Sequence, residues 1–84
     1  RTDSLLRNLN NPDATLRYLA ALAFASTRDS SAVESLASLL GDRNEDVRIA
    51  AAFALGQIGS PRAEKFLVAA FAANDSTSIH QRFN

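Results

Sequence analysis

Cysteine is absent from the 84 residues, which excludes disulfide staples and thiolate metal sites but leaves the compartment open. Neither sign of charge dominates. Nine acidic and nine basic residues are interspersed along the chain, so no Lys/Arg stripe exists to steer it toward nucleic acid or an anionic membrane. The longest apolar run, Ile49 to Gly56, falls far short of the ~18 residues that a membrane span needs. Histidine occurs once, at His80, and with no cysteine to join it no His/Cys metal site can form. No stretch sustains the two-residue alternation of a half-buried strand. A chain of this length hides about 60–65% of its unfolded surface, so its core is marginal.

What the sequence does have is alanine and a period. Sixteen alanines fall in stretches with helical spacing, and alanine both favours helix and lets helices approach closely. A shift of 31 positions places Arg48 on Arg17, Ala51 and Ala52 on Ala20 and Ala21, Ala54 on Ala23, Ala63 on Ala32, and Leu67 on Leu36. A fixed period of this size predicts a stacked helical array.

Punctuation between the helices is regular. Asn11 is expected to cap a helix opening at Pro12, where a missing N–H costs nothing, and running to about Thr27. Ser31 with Glu34 has the form of a capping box, starting a shorter helix that ends at Gly41. Asn44 caps the next, with Glu45 and Asp46 in its first turn where the helix dipole favours them, and Gly59 ends it. Ser60-Pro61 restarts the chain at once, with Ser60 as cap and Pro61 as first helical residue.

Apolar positions place the faces. Val47, Ala51, Ala54, Leu55 and Ile58 form one helical stripe. Its equivalents are Leu16, Ala20, Ala23, Phe24 and Thr27 one period earlier. The shorter helices contribute Val33, Leu36, Ala37 and Leu40, then Ala63, Leu67, Ala70 and Phe71. A second stripe, Tyr18 and Leu22 matched by Ile49 and Phe53, belongs to helices with neighbours on two sides. Asp3 to Leu9 matches Glu34 to Leu40 at the same offset, and Ile79-His80 takes the Val-Arg place after a one-residue insertion near Ala73. The expected organisation is the second helix of a preceding unit over 1–10, complete repeats over 11–41 and 42–73, and the start of a further repeat over 74–84. The chain, opening on Arg1, reads as part of a longer one. Its end faces, carrying Leu5, Leu6, Leu9 and Phe83 without caps, predict weak stability or self-association.

Leu39 to Arg48, Ala50 to Gly59 and Ser60 to Ala63 together resemble the HEAT repeat of the short, phycobilisome-lyase type, and the likeness extends over essentially the whole chain. The second unit is close to the consensus. The first is looser, with Ala25 and Arg28 where glycines are usual and Asn11 in the place of Asp42. The resemblance implies an all-α, right-handed superhelix with first helices on the convex side and second helices on the concave side. It also implies that recurring Asp and Arg tie one repeat to the next, a role that falls by position on Asp42 and Arg48, and on Asn11 and Arg17. Repeat identity carries fold and not activity.

Chemistry finds little purchase here. Recurring Arg17 and Arg48 suggest a phosphate ladder, but inter-repeat hydrogen bonding near helix starts accounts for them. Asp42, Glu45 and Asp46 lack the ligand spacing of a calcium loop, and helix-start charge accounts for them. Gly41, Gly56 and Gly59 do not build a phosphate-cradling loop. No serine shares an evident register with His80, as nucleophilic catalysis requires. The expectation is therefore a non-catalytic interaction or scaffolding module without cofactor or metal. The alternative is an accessory repeat domain of a larger enzyme, such as a bilin lyase or a protein-modifying enzyme. Removing the core stripe from the second helices leaves Glu34, Ser38, Arg62, Lys65 and Ala69. On the implied geometry these line the concave face and receive a protein or peptide.

Overall fold

A computed structural model describes residues 2–83, with side chains from 3 to 73. Five α-helices follow one another: α1 Thr2–Asn8, α2 Ala14–Thr27, α3 Val33–Leu39, α4 Glu45–Ile58 and α5 Pro61–Phe83, with a 3₁₀ turn at Ser30–Ala32 before α3. There is no strand among the described residues. Helix α2 makes its most extensive contact with α4, while α3 packs on α4 and α5, and α1 packs on α2. First helices thus stack on first helices and second helices on second, the two-layer plan of an α-solenoid.

The helix starts follow one rule in both repeats, and it differs from the local reading at two places. Asn44 caps α4, its side-chain oxygen accepting from the Val47 N–H at 3.2 Å. Ser60 Oγ accepts from the Ala63 N–H at 3.2 Å, with Pro61 as the first residue of α5. Helix α2, however, is capped by Asp13 rather than Asn11, and Pro12 lies ahead of the helix. The Asn11 side chain is already committed, accepting from the Asp13 N–H at 2.8 Å. Likewise Asp29, not Ser31, caps the turn leading into α3, accepting from the Ser31 N–H at 3.0 Å. That bond holds the Asp29 carboxyl below the usual carboxylate range.

Helix ends are also paired. Arg28 and Gly59 both adopt left-handed backbone, at φ 56° and 65°, and each returns its N–H to the carbonyl four residues back. This is the conformation that glycine takes without steric cost. Gly41 does not need it. Helix α3 stops at Leu39, and the chain leaves through i to i+3 bonds from Leu40, Gly41 and Asp42. Helix α5 runs unbroken to Phe83 across the boundary expected between 73 and 74. The side chains of Ile79, His80 and Phe83, on which the further unit rests, lie outside the described residues.

The core joins Ala20, Ala21, Phe24 and Ala25 of α2 to Val47, Ala50, Ala51, Ala54 and Leu55 of α4, closed below by Val33, Leu36 and Leu39 of α3. Alanine at the crossing keeps the two first helices close, while Phe24 and Leu55, both essentially inaccessible, fill the volume between layers. Helix α1 and the turn after it are better covered than the sequence suggests: Leu5 and Leu6 of the helix pack partly against the core, and Leu9 in the turn is fully buried. Apolar surface is left open elsewhere, at Leu16 and Leu19 on one side and Ile49 and Phe53 on the other.

Candidate functional site

A bidentate, largely shielded ion pair joins the two repeats. Arg17 projects from the first turn of α2, and its Nε and Nη2 donate to the two carboxylate oxygens of Asp42 at 2.9 and 3.0 Å. The remaining nitrogen, Nη1, donates to the carbonyls of Asn11 and Pro12 at 2.7 and 3.0 Å. Asp42 Oδ1 in turn accepts from the Asn44 N–H at 2.9 Å, fixing the loop that leads into the α4 cap. Both side chains are largely shielded, at 14% and 10% exposure. The Arg17 hydrogen bonds, followed by that from Asn44, hold the Asp42 carboxyl below the usual carboxylate range against a smaller opposing effect of desolvation.

Arg48 repeats half of this arrangement. Its Nη1 donates to the carbonyls of Asp42 and Arg43 at 2.7 and 3.2 Å, as Arg17 does to Asn11 and Pro12. Its other two nitrogens meet no acid among the described residues. Asn11, in the place of Asp42, receives an arginine on its carbonyl, and its side-chain amide reaches back to Asn8 at 3.4 Å. Of the four residues assigned to inter-repeat roles, the structure brings Arg17 and Asp42 together across the repeats, while Asn11 lies in its loop and Arg48, in the first turn of α4, reaches back to the loop of its own repeat.

On the second helices, Glu34, Ser38, Arg62, Lys65 and Ala69 are all exposed. Glu34 and Arg62 form an ion pair between α3 and α5, so part of this stripe ties one repeat to the next. Ser38 Oγ reaches only its own helix, donating to the Glu34 carbonyl at 3.4 Å. Lys65 has no polar partner among the described residues.

The residue pattern alone did not single out a groove of about 230 Å³ where α4 and α5 open outward, lined by Leu40, Arg48, Ile49, Leu67 and Phe71 among others. Arg28, which the sequence marks only as standing in a usual glycine place, also bridges the repeats. Its guanidinium crosses from the end of α2 to Gln57 of α4 at 3.3 Å. The period held a signal for both features, since Arg28 falls on Gly59, and Tyr18 and Leu22 fall on Ile49 and Phe53. Among the described residues no group of three or more His, Cys, Asp or Glu could hold a metal ion, and no helix is long and apolar enough to cross a membrane.

No curated protein matches the chain. A family model does: that of HEAT repeats, over residues 2–82. The match does not distinguish the phycobilisome-lyase subtype. With stacked first helices, stacked second helices and an Arg-Asp clamp between units, and with the match covering nearly its whole length, the chain belongs to the HEAT-repeat family.

Proposed function

We propose that this chain is a non-catalytic interaction or scaffolding module that binds a protein or peptide along the exposed face of its second helices. HEAT repeats generally mediate protein–protein interaction or scaffolding, and the choice of face rests on a single observation. Lys65 stands exposed on α5 with no ion-pair partner among the described residues, one turn after an Arg62 that Glu34 already neutralises and one turn before the small residue Ala69. The small exposed side chains Ala69 on α5 and Ser38 on α3 leave room for a backbone to approach, and the Lys65 cation favours a partner carrying acidic groups.

The test is Lys65→Glu. Quantitative affinity capture with the wild-type chain and the variant should recover a partner that the variant loses, with far-UV circular dichroism unchanged. Arg62 is a poorer probe, since Arg62→Glu would set two glutamates against each other and disturb the α3–α5 contact itself. A captured partner retained at full yield by Lys65→Glu would remove the assignment of this face.

A further inference from the structure

One contact between the repeats does not follow the period. Arg28 reaches Gln57 from a position whose equivalent is Gly59, which has no side chain to repeat the link. Arg28 also holds left-handed backbone that Gly59 adopts without steric cost. A cation in the last turn of α2 suits the helix dipole, but any neighbouring position gives that benefit without the strain. Nor does the link to Gln57 account for it, being exposed, 3.3 Å long and made by Nη2 to a neutral amide oxygen. Nε and Nη1 meet no acceptor among the described residues. A strained residue with most of its donors unused points to a role for its side chain outside the stack.

That side chain stands on a groove of about 460 Å³ between α2 and α4, which Leu22, Ala25 and Ser26 line from one helix and Phe53 and Gln57 from the other. Both walls belong to the two complete repeats, so the groove is open although each helix has its neighbour in place. It shares no residue with the groove between α4 and α5. Its volume lies in the range of small-ligand sites. The lining is apolar away from Arg28 and Gln57: Ala25 is buried, Leu22 is half-buried, and Phe53 is 54% exposed. No lining residue is acidic, so the charge of the groove is that of Arg28 alone.

We propose that this groove receives the C-terminal end of a peptide, its terminal carboxylate on the Arg28 guanidinium and its last side chain, an apolar one, against Leu22 and Phe53. Charge complementarity selects the carboxylate. A charge-assisted bond is about twice as strong as a neutral one, so the carboxylate displaces the Gln57 oxygen. The full charge of Arg28 also outweighs the partial negative charge, about half an electron, at a helix end. Arg28 and Gln57 lie at the ends of their helices and span the groove there, which favours a chain that stops at the guanidinium over one that runs through.

The probe is a pool of fluorescein-labelled octapeptides with a free carboxylate and the last four positions randomised, selected on the intact 84-residue chain. Selected sequences should carry an apolar last residue and bind saturably by fluorescence anisotropy. Amidating the C-terminus should weaken binding about tenfold or more, the loss expected for a charged two-point contact. Arg28→Gly should produce the same loss with no fall in the urea midpoint, and Phe53→Ser should weaken binding with the helical spectrum intact. Gln57→Ala breaks the link but keeps the cation, and should bind at least as tightly as wild type. Absence of a saturable binder up to millimolar peptide overturns the proposal, as does equal affinity for the amidated peptide or for Arg28→Gly. So does a loss with Gln57→Ala equal to that with Arg28→Gly, since the link and not the charge then shapes the groove. An amidated peptide that binds equally well through an internal aspartate also overturns it, because the occupant is then an acidic segment. Lys65→Glu should leave this binding unchanged, so the second-helix reading stands or falls separately.

Discussion

At the residue scale, one contact distinguishes this array from a set of helices that merely share a core. Arg17 and Asp42 come from different repeats, and all three Arg17 nitrogens are used. A solvent-exposed pair would be worth little, but these side chains are mostly shielded and their geometry is bidentate. Replacement by Asp42→Asn should therefore cost about 1.5–2 kcal/mol at neutral pH, the lower part of the range for hydrogen bonds to charged groups. The pH dependence has a definite sign. The folded-state pKa of Asp42 lies below its unfolded value, so the stabilisation is complete above the unfolded pKa of about 3.9. It is lost as pH falls from there through the folded pKa. Urea titrations should show wild type and Asp42→Asn well separated at pH 7 and converging in acid. Parallel curves down the whole range would mean that the carboxylate is not what stabilises the loop.

At the scale of elements, the 31-residue period is a better guide to helix ends than local motifs are. Asn44, Gly59 and the Ser60-Pro61 restart were legible directly, because each is the favoured residue type at its position. Asp13 and Asp29 were not, because short polar residues two apart compete for the same role. The capping-box pattern at Ser31 and Glu34 and the proline after Asn11 both pointed to the wrong member. Register decides correctly: Asp13 falls on Asn44 and Asp29 on Ser60, and Arg28 falls on Gly59. That last equivalence makes a prediction. Arg28 holds a left-handed conformation that glycine adopts freely and that costs other residues about 1–2 kcal/mol. What Arg28→Gly forfeits is an exposed 3.3 Å bond to Gln57 and some restriction of the unfolded chain. The net expectation is a gain of about 0.5–1 kcal/mol, read as a higher urea midpoint at unchanged slope. A loss would show that the link to Gln57 outweighs the backbone strain.

For the whole molecule, the sequence made the stack legible but not which sides of it are open. Periodicity assigned Leu16 and Val47 to one stripe, yet one is 39% exposed and the other fully buried. A helix has the same apolar pattern whether or not its neighbour is there, so exposure depends on position in the array. The same dependence governs how the chain unfolds. Repeat arrays behave as nearest-neighbour systems, and units can separate when interfaces are weak relative to the units themselves. Here the heaviest contact is the interface itself, between α2 and α4, and neither repeat has a comparable core of its own, so the two should unfold together. Tyr18 allows a direct check, because it is the only tyrosine, tryptophan is absent, and it sits beside Asn44 and Asp46 at the start of α4. Its fluorescence reports the interface, while far-UV circular dichroism reports all helices, and the two urea transitions should coincide. Phe24→Ala removes a ring that is 1% exposed and should cost about 3–5 kcal/mol. The total available to 84 residues is about 4–13 kcal/mol, so both transitions should shift far to lower urea and stay together. A Tyr18 transition that moves ahead of the helical one in this variant would mean that the units part before they melt, and that each repeat holds its helices without the other.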